Sequence, residues 1–252
     1  MQYVLLIHAA ESRYATTTPA EGEAVLQAYG AYTHDLFATG RAGDCAALEP
    51  THTATSVRVR EGKRAVKDGP FAETREQLGG YYSLRTESDE EALAWAARIP
   101  DARGGTIEVR PLVAMGGPGV DAAPAKFTRA THKEYLLLIY DAPAAWGAMS
   151  DAERGAMFSR YNQFSKDLRA SGHLVAGEQL DAATKARNVS VAADGARVVR
   201  DGPFAETREQ LGGYYRVWAR DLDEAIAFAA RIPSAEIGTV EVRPVMNTDA
   251  YV

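Results

Sequence analysis

A fifteen-residue run of charged, aromatic and turn-forming residues occurs twice in this chain. Asp68-Gly69-Pro70-Phe71-Ala72-Glu73-Thr74-Arg75-Glu76-Gln77-Leu78-Gly79-Gly80-Tyr81-Tyr82 returns unchanged as Asp201 to Tyr215. Asp68, Glu73 and Arg75 beside Tyr81, and Asp201, Glu206 and Arg208 beside Tyr214, hold the parts of a polar binding site. Carboxylates serve as acid or base where burial raises their pKa, and an arginine clamps an anionic group bidentately. The run has a structural reading as well. Asp-Gly-Pro is turn chemistry, Phe71 would plug a core, Gly79-Gly80 would let backbone pass closely, and Glu73 would pair with Arg75. Identity of the copies fits both readings, since recent duplication preserves sequence as well as function does.

The histidines do not repeat. His8 aligns with Tyr140, His34 with Lys166, His52 with Thr184 and His173 with Arg41, while His132, at the end of the linker, has no counterpart. His34-Asp35 is a tempting pair, but sequence neighbours point apart on a helix. His8 ends the first apolar strand, where it would line one half of a cleft. Without a Cys pair, a His-x-x-x-His or a repeated histidine, no dedicated metal site is expected. Dinucleotide, P-loop and serine-elbow motifs are also missing, so no cofactor is expected.

The elements that must position these residues follow from the repeat. Tyr3-Val4-Leu5-Leu6-Ile7 matches Tyr135 to Ile139, Glu91 to Pro100 matches Glu224 to Pro233, and Thr106 to Pro111 matches Thr239 to Pro244. Two domains are expected, residues 1–114 and 132–247, joined by a Gly/Pro/Ala-rich linker over 115–131 and followed by a tail, 248–252. Each reads β-α-β-β-β-α-β, a ferredoxin-like α+β order with one hairpin added. Capping boxes open the first helices at Thr18 and Ser150 and the second helix of copy one at Ser88; Gly40 and Gly172 end the first helices.

Such a sheet has helices on one face only, so the two open faces are expected to pack together. Alternation assigns Tyr82, Leu84, Tyr215 and Val217 to the helix side, and Tyr81, Ser83, Arg85, Tyr214, Arg216 and Trp218 to the shared side. Glu108, Arg110, Glu241 and Arg243 join the shared face. Charges there must be paired or hydrated, which calls for a cleft or for a ladder of ion pairs.

Composition narrows the partners. A formal charge of −6 without a basic run disfavours nucleic acid. Apolar runs such as Leu136–Tyr140 fall far short of the roughly 20 residues of a membrane span. A single cysteine and no leader-like start lead to the expectation of a cytoplasmic protein.

The repeated run resembles the signature of the DGPF branch of YCII-related proteins, and the Ala-Ala-Arg-Ile-Pro and Glu-Val-Arg-Pro segments are similar too. The resemblance covers nearly all of both copies. It implies a dimeric α/β-barrel, here formed within one chain as a pseudo-dimer, with further homodimerisation open. It also implies a His–Asp pair with the histidine on the first helix, but Tyr29 and Tyr161 occupy that position here. Two functions are left open. One is binding, or transformation, of a small polar or anionic molecule between the sheets; the other is a non-enzymatic regulatory module, associated with a sigma factor in some relatives.

Overall fold

A hydroxyl and a carboxylate three residues later open the long helix of each repeat. Thr18 accepts from the Glu21 amide while Glu21 holds the Thr18 amide, and Ser150 with Glu153 does the same. The computed structural model in which these contacts are seen describes residues 1–72, 74–113, 126–205 and 207–248. Glu73, Glu206, linker residues 115–125 and tail residues 249–252 lie outside the described residues.

In chain order the first repeat holds β1 (Gln2–Ala9), α1 (Ser12–Ala15), α2 (Pro19–Ala38), β2 (Ala42–Ala47), β3 (Thr55–Arg60), β4 (Lys63–Asp68), β5 (Gln77–Arg85), α3 (Asp89–Arg98) and β6 (Thr106–Pro111). The second holds β7 (Lys133–Asp141), α4 (Pro143–Gly147), α5 (Asp151–Ser171), β8 (Leu174–Gln179), β9 (Arg187–Val191), β10 (Arg197–Asp201), β11 (Gln210–Ala219), α6 (Leu222–Arg231) and β12 (Thr239–Pro244). Gly40 and Gly172 follow the long helices at φ 68° and 86°, the left-handed geometry a glycine allows. At α3 the capping box is only half made. Ser88 accepts from the Glu91 amide, but the Glu91 carboxylate turns to the Glu87 amide and to Arg41.

Strand β2 corrects the expected element order. Ala42-Gly43-Asp44-Cys45-Ala46-Ala47 is too small-sided and too mixed to show alternation, yet it pairs with β5. Apart from α1 and α4, each repeat is therefore β-α-β-β-β-β-α-β. The ferredoxin-like unit of copy one is β1-α2-β2-β5-α3-β6, and β3–β4 is the added hairpin.

That hairpin crosses to the other copy. One sheet runs β10-β9-β6-β1-β5-β2 and the other β4-β3-β12-β7-β11-β8. Val57 pairs with Val240 and Val189 with Ile107, so each sheet of six takes two strands from the opposite repeat. The ends of the sheets also join. Leu48 bridges to Val245 and Leu112 to Leu180, closing the two sheets into an intramolecular dimeric α/β-barrel.

Three apolar layers result. Tyr82, Leu84, Ile107 and Val109 pack under α2 and α3 together with Val189 of the exchanged hairpin. Tyr215, Val217, Val240 and Val242 pack under α5 and α6 with Val57. Between the sheets lie Val4, Leu6, Tyr81, Leu136, Leu138 and Tyr214. The alternation read from the strands is thus the alternation observed.

Candidate functional site

The second glycine of each Gly-Gly pair lets its strand lie close against a neighbouring strand. A side chain on Gly80 would come within 2.7 Å of the Ala46 carbonyl, and one on Gly213 within 2.8 Å of the Glu178 carbonyl. Just before these glycines the register slips, at Ile7/His8 against β5 and at Leu211/Gly213 against β7. Such bulges re-aim neighbouring side chains. Here they lie beside His8 and Tyr140, paired positions at which the copies differ.

Each DGPF loop reaches across to the other copy. Phe204 stacks on His8 with ring centroids 3.9 Å apart, and Phe71 stacks on Tyr140 at 4.6 Å. Phe71 therefore covers the cleft and does not plug the apolar core as expected. The backbone amide of Phe71 donates to Glu241 Oε2 at 2.7 Å. His8 Nε2 lies 3.5 Å from Glu108 Oε2, within ion-pair reach but without a hydrogen bond. These groups, with Glu76, Arg110 and Arg243, line a cavity of about 90 Å³.

Cleft and ion-pair ladder coexist. Arg110 donates to Glu108 and to the Leu211 and Asp181 carbonyls at 3.1 and 3.2 Å. Arg243 mirrors it, donating to Glu241 and to the Leu78 and Glu49 carbonyls at 3.2 and 3.3 Å. Both guanidinium groups are buried and tie their own sheet to the opposite repeat. Burial opposes charge on Glu108, but His8 and Arg110 outweigh it and hold the carboxyl below its ordinary value. Burial, reinforced by Glu241, pushes the Tyr140 phenol upward.

Among the described residues, three polar atoms in this lining are buried without a hydrogen-bond partner: His8 Nε2, Glu76 Oε2 and Arg243 Nε. Native proteins satisfy nearly all buried polar groups, through protein partners or bound molecules.

The residues expected to form a site from sequence are scattered. His8 is in the cleft. Tyr81 and Tyr214 are sealed between the sheets, 4.7 Å apart, and the Tyr81 hydroxyl donates to Asp44. Asp44 also takes Arg216 Nη1 at 2.7 Å, and Arg216 binds Glu134, so these residues form a buried network on one side only. Asp68, Arg75 and Arg208 are exposed and do not line the cleft. Asp201 lies 3.9 Å from Arg187, also outside it. Glu73 and Glu206 fall outside the described residues.

Tyr29 and Tyr161 point toward the helix side. The Tyr29 hydroxyl donates to Asp101 at 3.0 Å, and that of Tyr161 to Ser234 at 2.7 Å. His34 and Asp35 do reach one another, at 3.7 Å, but both are exposed and Asp35 also pairs with Arg98. Glu76, Phe204 and Tyr140 were not legible as site residues. The available signal was the Glu-Val-Arg alternation on β6 and β12, which aims Glu108 and Glu241 at the cleft.

Cys45 abuts the Arg216 network, and burial, aided by Asp44, pushes its thiol up to about 11. Labelling by a disulfide reagent at neutral pH is expected to run at least about a hundredfold slower than in the unfolded chain, because the thiolate is the reactive form.

Two ferredoxin-like halves closed around a polar cleft define a single-chain dimeric α/β-barrel. Both halves match the YCII-related domain, over residues 1–116 and 134–249, and the chain belongs to that family. An uncharacterised protein of Rhizobium meliloti (strain 1021) is 38% identical over 121 residues, covering 47% of this chain and 97% of the relative. Among solved structures, a mutant chlorite dismutase from Candidatus Nitrospira defluvii aligns over 99% of this chain and 92% of its own, at 8% identity and a TM-score of 0.43. The same enzyme in complex with imidazole aligns with a TM-score of 0.40, also at 8% identity, over 99% of this chain and 92% of its own. No helix among the described residues is long and apolar enough to cross a membrane.

Proposed function

We propose that this protein binds a small polar molecule in the cleft between its sheets, with His8 as the group that exchanges a proton with it. The observation that carries this reading is the set of three unpartnered buried atoms around the cavity, His8 Nε2 foremost. Glu108 Oε2 stands 3.5 Å from the imidazole, within ion-pair reach. Charge favours a polar guest over an anionic one. Glu76, Glu108 and Glu241 face Arg110, Arg243 and His8, so the lining is neutral only when His8 is protonated. Size favours a guest of a few heavy atoms, since about 90 Å³ is far below the ~300–1,000 Å³ of drug-sized pockets.

The test is a thermal-shift and ligand-observed NMR screen of small amides, alcohols and hydroxy acids. A hit is expected whose affinity falls about tenfold or more in His8→Gln and in Glu76→Gln, the loss of a charge-assisted hydrogen bond. A screen without hits, or one whose hits bind both variants unchanged, would sink the reading. The regulatory-module alternative has less support. The outer strand β4, Lys63–Asp68, is exposed throughout and bears four charges in six residues, a composition that discourages edge pairing.

A further inference from the structure

A second constellation lies outside the cleft, at the start of the second repeat. His132, His173 and Glu224 place their ligand atoms within 4.8 Å of one another, half-buried. They come from the segment before β7, the turn between α5 and β8, and the first turn of α6, so no sequence motif marks them. We infer that they form a binding site for one divalent transition-metal ion of the zinc type.

The imidazoles are held as ligands must be. His173 Nδ1 lies 2.9 Å from the Trp218 carbonyl, which fixes its proton there and leaves Nε2 free to bind metal. His132 Nδ1 is engaged by Thr131 Oγ1 at 3.0 Å, so its Nε2 is also available. Phe127 stacks on His132 at 3.9 Å and packs on His173 at 4.7 Å, while Phe228 backs His173 at 4.9 Å. Two imidazoles and a carboxylate are a donor set that suits zinc, with one position left for water. Tetrahedral coordination at about 2.0–2.1 Å needs ligand atoms roughly 3.3 Å apart, which side-chain rotation supplies from the observed spacing.

The first repeat shows what belongs in this place. The counterparts of His173 and Glu224 are Arg41 and Glu91, and there the Arg41 guanidinium is bonded to Glu91 and, at 3.1 Å, to Glu87. A cation thus faces the carboxylate in copy one. In copy two histidine has replaced that cation, and His132, which has no counterpart, adds a third ligand. Glu224 is held instead by Arg220, four residues back: Oε1 takes its guanidinium at 3.0 Å and Oε2 its backbone amide at 2.7 Å. The Arg220 side chain is 68% exposed, so its departure releases Oε1 while Oε2 stays on the backbone amide, and a carboxylate keeps acceptor sites beyond those it uses.

The experiment titrates chelator-stripped protein with Zn²⁺ by calorimetry and follows thermal unfolding alongside. One equivalent per chain and a raised unfolding temperature are expected. His173→Arg rebuilds the ion pair of copy one, so it should fold like the metal-free wild type yet lose the site. His132→Ala should weaken binding about tenfold or more. Wild-type protein that takes up no Zn²⁺, or variants that bind it as tightly as wild type does, would overturn the inference.

Discussion

Separated halves of this chain, cut within 114–125, are expected not to fold as monomers. The reason lies in the exchanged hairpins. Val57, fully buried, belongs to the core under α5 and α6, and Val189, equally buried, to the core under α2 and α3. A lone half would project its β-hairpin into solvent and lack the one that completes its own sheet. It would also bare the shared layer, in which ten residues are buried. At about 1.5–3 kcal/mol for each large apolar side chain buried, that layer alone rivals the ~5–15 kcal/mol that holds a whole domain together. Co-expressed halves should reassemble into one particle, and a single half should recover structure only by pairing with a second copy of itself, since the exchange has two-fold geometry. Circular dichroism and light scattering after size exclusion read the result. A folded, monomeric half would show that the exchanged strands are dispensable.

The same exchange marks how far the sequence could be read. The duplication, the helices and the inner and outer faces of the strands were legible because each rests on local chemistry: a cap, a glycine, alternation. Tyr81 beside Tyr82 was enough to assign both faces. Strand β2 was not legible, because Gly43 and a row of small residues carry no periodic signal. The destination of the hairpin was not legible either, since Thr55–Asp68 reads as a β-hairpin whichever sheet receives it. The site suffered most from this. Asp68, Arg75 and Arg208 draw attention by charge, but a hairpin that crosses over carries Asp68 to its outer edge and leaves Phe71 and Phe204 over the cleft. His8 could be found because it ends a central strand. Glu76 could not, for in Arg-Glu-Gln nothing separates it from its neighbours until the loop is folded.

Replacing Arg110 or Arg243 by methionine is expected to cost about 3–5 kcal/mol, as when one partner of a buried ion pair is removed. Methionine fills much of the same volume, so the loss is electrostatic more than steric. In Arg110→Met, Glu108 stays buried with only His8 beside it, and the carbonyls of Leu211 and Asp181 lose their donor. In Arg243→Met the Leu78 and Glu49 carbonyls are abandoned and Glu241 keeps only the Phe71 amide. For a chain of this size the unfolding temperature should fall by roughly 6–20 °C. Acid should narrow the deficit. The Glu108 carboxyl is depressed in the wild type, so the stability it contributes is present above its ordinary pKa and is lost as pH falls through the folded value. Without Arg110 the same carboxyl protonates more readily, and the buried charge disappears from the variant first. Pairing the change with Glu108→Leu removes that charge at every pH and should restore much of the loss, short of the two orphaned carbonyls. A single variant as stable as wild type at neutral pH would mean that the closure of the barrel rests on its apolar layer alone.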